Sequence, residues 1–190
     1  MERLSLSQAL SSGQAFKERI EAASGVTLSR CYQCGKCTAG CPASSGMDYG
    51  PRGIIRLLQL GLYEKAMRSN TPWICAGCQT CYVRCPRDID MPKLMEAVRQ
   101  EACRRGIVGD KKTEVFDRAF LRSIERFGRP HEASIMGEYN LLTGQPFKDI
   151  MSGPAMLARG KLALLPSRIK NISEIKKIFA RVRAKGGEAR

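Results

Sequence analysis

The chain has 190 residues, of which 43% are hydrophobic, 6% aromatic and 26% charged, and its formal net charge is +14. That length fits one ordinary domain, or a small cofactor-binding domain with extensions. Sparse aromatics exclude a large aromatic core, and no run approaches the roughly 18 apolar residues of a membrane-spanning helix.

The first residues, Met1-Glu2-Arg3-Leu4-Ser5, carry an acid and no apolar run, so no secretory signal is read there. A cytoplasmic setting is expected, where thiols stay reduced and clustered cysteines serve as ligands rather than disulfides. Residues 12–24 predict a helix ending at Gly25, with Ala15, Phe16, Ile20 and Ala23 roughly on one side. Pro51 suits the first position of a second helix. There Ile54, Ile55, Leu57 and Leu58 keep a three-to-four period that stops before Gly61. A short helical turn is expected at 62–67. Asp90 is a helix cap with Pro92 behind it; Leu94, Met95, Val98 and Ala102 form the stripe, and Gly106 ends it. Asp110 is expected to cap another helix, with Val115, Phe116, Ala119, Phe120, Ile124 and Phe127 on its buried side.

Gly128-Arg129-Pro130 is a break. Shorter helices are expected at 132–142 and 147–159, and coil or extended chain at 161–166. Asn171 is expected to cap a last amphipathic helix bearing Ile172, Ile175, Ile178, Phe179 and Val182, with a frayed end at 185–187. Strand-like alternation is nearly absent, so the fold class is all-α. Residues 155–190 hold ten basic residues and two acids. Such a tail suits an acidic protein partner or an anionic surface, or is a solvated helix face. No aromatic interleaving or recognition motif accompanies it, so no nucleic-acid partner is expected.

One internal repeat dominates the chain. Cys31-Tyr32-Gln33-Cys34-Gly35-Lys36-Cys37-Thr38-Ala39-Gly40-Cys41-Pro42 returns as Cys75-Ala76-Gly77-Cys78-Gln79-Thr80-Cys81-Tyr82-Val83-Arg84-Cys85-Pro86, offset by 44 residues. A [4Fe–4S] cube needs one thiolate per iron, and C-x2-C-x2-C lets one loop cover three corners. In two-cluster ferredoxins the fourth cysteine, three residues on and followed by Pro, ligates the other cluster. On that rule one cluster takes Cys31, Cys34, Cys37 and Cys85, and the second takes Cys75, Cys78, Cys81 and Cys41. Structural zinc favours separated C-x2-C pairs instead. With two clusters bound, the net charge falls to about +10.

Gly35, Gly40 and Gly77 suit loops whose N–H groups approach cluster sulfurs. Arg30, Lys36, Arg84 and Arg87 lie close to the ligands in sequence; they favour a reduced, more negative cluster or are plain surface charges. Trp73 is a candidate shield for the second cluster or a packing residue. Cys103 has no partner at ligand spacing and reads as a small packing residue. His131, the one histidine, reads as a helix-start residue rather than a ligand. No G-x-G-x-x-G stands at a strand–helix junction and no Cys–His pair suggests a nucleophile, so no catalytic residue is assigned.

The first motif, with Met47-Asp48-Tyr49, Pro51-Arg52, Gly61-Leu62 and Trp73-Ile74-Cys75, resembles the C subunit of heterodisulfide reductase. The likeness covers about residues 12–105 and continues weakly through Gly137-Glu138 to Pro166. It implies the α-helical ferredoxin fold, with a segment 1–24, a dicluster domain 25–105 and a helical docking extension 106–190. It also implies an electron-relay role between two partners. One is the A subunit, which carries flavin and iron–sulfur clusters; the other is the catalytic B subunit, whose Cys-Cys-Gly motifs act on a disulfide. In methanogens that disulfide joins coenzyme M to coenzyme B; sulfur-oxidising relatives use others. This chain has no Cys-Cys-Gly of its own. The alternatives are an iron–sulfur subunit of a quinone-linked membrane-associated reductase or of a sulfur-oxidising complex of the same type, and a free ferredoxin.

Overall fold

The computed structural model describes residues 6–146, 156, 158–160, 163 and 165–184. Among them every regular element is helical. The chain forms two compact units, residues 1–110 and 111–190.

In the first unit, α1 (Leu6–Ser24) is a turn and a half longer than its apolar stripe predicts. It stops at Gly25, whose φ of +68° lies in the left-handed region. Glu21 Oε1 then accepts from Leu28 N at 2.6 Å and turns the chain into the first motif. Two short helices, α2 (Lys36–Ala39) and α6 (Thr80–Val83), occupy equivalent places in the two repeats and pack on each other. Between them run α3 (Pro51–Gln59), α4 (Tyr63–Arg68) and α5 (Thr71–Ile74). Pro51 stands at the start of α3, and Gly61 at φ +72° follows its end. In α7 (Met91–Arg104) the Asp90 side chain accepts from Lys93 N at 3.1 Å, as an N-cap should.

The core joins Phe16 and Ile20 of α1 to Ile54, Ile55 and Leu58 of α3, Met67 of α4, and Leu94, Met95 and Val98 of α7. Through Phe16 and Ile20, α1 therefore shares its core with the cysteine motifs. Cys31, Cys37, Cys75 and Cys85 pack against that core, so ligand loops and hydrophobic interior are one structure.

Glu101 on α7 locks α1 in place. Its side chain is 8% exposed and meets Arg19 Nη2 at 3.5 Å, Arg104 Nη1 at 3.2 Å and Arg105 Nε at 2.9 Å. Arg105 in turn lies 5.2 Å over the Phe16 ring and 5.8 Å over Tyr63. Glu101→Gln keeps the shape and removes the charge. The three arginines retain solvent, so the expected loss is about 1–2 kcal/mol, read as a lower denaturant midpoint with an unchanged slope.

The second unit has α8 (Lys111–Phe127), α9 (Glu132–Leu142) and α10 (Ile172–Ala184), with α8 packed on both α9 and α10. Gly128 breaks α8 at φ +79°; a Cβ there would fall 2.3 Å from Ile169 Cγ1. His131 caps α9, its Nδ1 accepting from Ser134 N at 3.3 Å. Its own N–H donates to Ser123 Oγ at 2.9 Å, and Nε2 lies 2.8 Å from the Ala163 carbonyl. Its role is structural, as expected. The α8 stripe is buried less than its periodicity predicts. Ala119 and Phe127 are buried, but Phe116 is 41% exposed, held between Phe120 and Tyr139 at ring-centroid distances of 6.3 and 6.1 Å. The helix expected at 147–159, the coil at 161–166 and the frayed end at 185–187 fall mostly or wholly outside the described residues.

Candidate metal centre

Each motif begins with the same turn. Gln33 and Gly77, equivalent in the repeat, have φ of +64° and +62°; Gly35 and Gln79, also equivalent, have +84° and +64°. Two left-handed residues within one short loop fold its cysteines inward around a common space. In a non-glycine residue that conformation costs roughly 1–2 kcal/mol. Each repeat places glycine at one of the two positions and glutamine at the other.

The loops surround two cavities. One is lined by Cys41, Cys75, Cys78 and Cys81 together with Met47, Met91 and Met95. The other is lined by Cys31, Cys34, Cys37 and Cys85 with Gln33, Lys36 and Arg52. Each cavity takes three cysteines from one motif and the fourth from the other. Met91, at the start of α7 and 2% exposed, lies on the wall of both.

Among the described residues, no three His, Cys, Asp or Glu side chains draw close enough to hold a single metal ion. A zinc site would need four ligands about 2.0–2.3 Å from one centre. Four thiols ringing one cavity, with no three of them converged on one point, suit a polynuclear cube with one thiolate per iron.

Burial sets the character of the thiols. It pushes Cys81 up to about 11 and raises Cys37 and Cys75; at Cys75 the Gly77 N–H partly offsets it. Cys78 goes the other way, because the Thr80 hydroxyl, 3.4 Å from its sulfur, favours the thiolate. The buried thiols must shed protons to ligate, so loading this site with iron releases acid. Cys34 and Cys78, equivalent in the repeat, are the exposed members of the two sets.

Second partners hold the ligands. Gln33 Nε2 donates to Cys31 Sγ at 3.5 Å and to Gln59 Oε1 at 3.3 Å. Gln59 Nε2 donates to the carbonyls of Leu28 and Cys31 at 2.9 and 3.0 Å, fastening the motif to the end of α3. Ile89 N donates to Cys85 Sγ at 3.4 Å. Around the second motif, Asp48 N donates to Asn70 Oδ1 at 2.8 Å and Asn70 N to Asp48 Oδ2 at 2.9 Å, stapling the 47–51 loop beside α5.

The other sequence candidates divide. Gly35 and Gly77 line the cavities, whereas Gly40 packs beneath Arg84. Arg87 Nε donates to the Arg30 carbonyl at 3.3 Å. Trp73 is buried beside Gly109, and neither cavity includes it in its lining. Cys103 is exposed on α7 and lines neither cavity. Gln33 and Gln59 carry no signal in the sequence, since neither marks a ligand position or a helical period; Met91 extends the α7 stripe by one turn, but nothing in the sequence marks it as a cavity wall.

The described residues of this part of the chain are all helical, and residues 27–89 match the 4Fe–4S dicluster domain family. The chain's relatives are C subunits of heterodisulfide reductases. It is 38% identical over 93 residues to the C subunit of the H2:CoB–CoM heterodisulfide,ferredoxin reductase of Methanothermobacter marburgensis, a match over 49% of this chain and 50% of the relative. It is 41% identical over 81 residues to the iron–sulfur C subunit of the CoB–CoM heterodisulfide reductase of Methanopyrus kandleri, covering 43% and 42% of the two chains. A third relative, the C subunit of the ferredoxin:CoB–CoM heterodisulfide reductase of Methanosarcina acetivorans, is 37% identical over 98 residues, 52% of this chain and 39% of that one. The chain thus spans about half the length, or less, of these curated relatives. Among the described residues no helix is long and apolar enough to cross a membrane.

Proposed function

We propose that this chain is the electron-relay subunit of a heterodisulfide-reductase-like complex in the cytoplasm. It holds two [4Fe–4S] clusters, one on Cys31, Cys34, Cys37 and Cys85 and one on Cys75, Cys78, Cys81 and Cys41. Each cluster supplies a site that stores one electron. The chain's own residues fix two such sites side by side, keep water from their inner faces and leave one ligand of each near the surface. It takes electrons from a flavin and iron–sulfur subunit and delivers them to a Cys-Cys-Gly catalytic subunit that reduces, or forms, a disulfide such as CoM-S-S-CoB.

The observation that carries this reading is the division of eight cysteines into two crossed sets of four around adjacent cavities with Met91 on both walls. The names of the relatives supply the complex and its disulfide. The second unit serves as a docking surface; Phe116, Leu121, Leu141 and Leu142 leave α8 and α9 with exposed apolar residues for partners to cover.

The test uses the assembled complex. Cys34→Ser should stop electron delivery to the disulfide site, while the flavin subunit still reacts with its own donor. Normal disulfide turnover after loss of that cluster would sink the relay.

A further inference from the structure

The two sites come from a repeat, yet their walls differ. Lys36 and Arg52 line the Cys31–Cys34–Cys37–Cys85 cavity, and Gln33 and Ile89 line it too. Gln33 Nε2 and Ile89 N each donate to a ligand sulfur there, at 3.5 and 3.4 Å. Among the described residues, the Cys41–Cys75–Cys78–Cys81 cavity has no charged residue in its lining: beyond the cysteines it is proline, alanine, glycine, three methionines and Thr80. Its sulfurs have hydrogen-bond partners as well: the Thr80 hydroxyl and N–H at Cys78, the Gly77 N–H at Cys75 and the Tyr82 N–H at Cys81, so the two sites differ in charge and not in N–H donors. Arg99 acts on Cys75 from outside that lining, but it is paired with Glu96. Arg84 lies against the Gly40 backbone and lines neither cavity.

Reducing a cluster adds one negative charge. Adjacent cations and N–H donors stabilise that charge and raise the potential, whereas an apolar wall opposes it. The repeat has therefore been differentiated into unequal halves.

We propose that the two sites are electrostatically graded, with the Cys31–Cys34–Cys37–Cys85 site at the higher reduction potential because of Lys36 and Arg52. This rests on the relay reading and gives it a direction. Loaded with clusters, the Cys41–Cys75–Cys78–Cys81 site would take one electron at a time from a reduced flavin or iron–sulfur centre of one partner, and the cationic site would pass each on to a one-electron acceptor centre of the other.

The test is a potentiometric titration of the loaded chain, followed by paramagnetic resonance. Two steps are expected, the higher disturbed by Cys34→Ser and the lower by Cys78→Ser. The double variant Lys36→Gln/Arg52→Gln changes only exposed side chains. It should lower the higher step by about a tenfold change in the reduced-to-oxidised ratio, 59 mV for a one-electron couple, and leave the lower step in place. Lys36→Arg/Arg52→Lys should restore the wild-type value, and Gln33→Leu should lower the same step. A higher step assigned to Cys78, or a double variant that moves the lower step or neither, overturns the grading and leaves the relay standing. Iron sufficient for only one cluster overturns both.

Discussion

Cys85→Ser is expected to destroy the cluster of the first motif and spare that of its own. Iron should fall from about eight to about four per chain. The surviving resonance signal should be the one that Cys34→Ser leaves, not the one that Cys78→Ser leaves. The reason is positional. Cys85 stands on the wall formed by Cys31, Cys34 and Cys37, and Cys41 stands on the other. Serine conserves the size of the side chain and its contact with the core, so the variant tests ligation rather than packing. Cys41→Ser should give the mirror result. An uncrossed arrangement predicts the reverse pairing in both variants, so the two experiments decide between them. The crossing also has a folding consequence. With crossed ligation, one cluster would tie Cys37 to Cys85 and the other Cys41 to Cys75, spans of 48 and 34 residues. Losing either cluster therefore loosens both loops, and iron chelation should destabilise residues 27–89 as a unit.

How much of the fold and site is legible in the sequence depends on whether the signal is local. Pro51, Gly61, the Asp90 cap and His131 at the start of α9 are all local devices, and the chain uses each as its sequence suggests. The all-α class follows from the missing alternation. The shortfalls are long-range. Phe116 fits the buried stripe of α8 by period, but how far a helix face is covered depends on its neighbours, and here Phe116 stays 41% exposed. Trp73 is two residues from Cys75, yet α5 turns its ring toward Gly109 rather than into the cavity lining. The Gln33–Gln59 bridge joins residues 26 apart with no motif at its far end. Lys36 is visible in the sequence as a charge beside ligands, but only the folded walls pair it with Arg52 and leave the other site without a counterpart.

Met91 carries the second large effect. It is 2% exposed, packs in the hydrophobic core and lies on the walls of both cavities. Met91→Ala would remove the side chain from the partition and leave a hole between two spaces that are already poorly filled by protein. Little can collapse into it, because the Asp90 cap and Pro92 fix the backbone at the start of α7. The expected cost is therefore near the upper part of the usual range for such truncations, about 2–5 kcal/mol. Met91→Leu restores most of the volume and should cost under about 1.5 kcal/mol. Denaturant unfolding of the iron-loaded chain, with iron content measured across the transition, checks both. The informative comparison is between stability and iron. If Met91 is only core, the alanine variant unfolds earlier but keeps both clusters until it does. If it is the wall that separates them, the alanine variant loses iron from both sites together, before the helices melt. A variant with wild-type stability and iron would show that α7 seals the two sites without it.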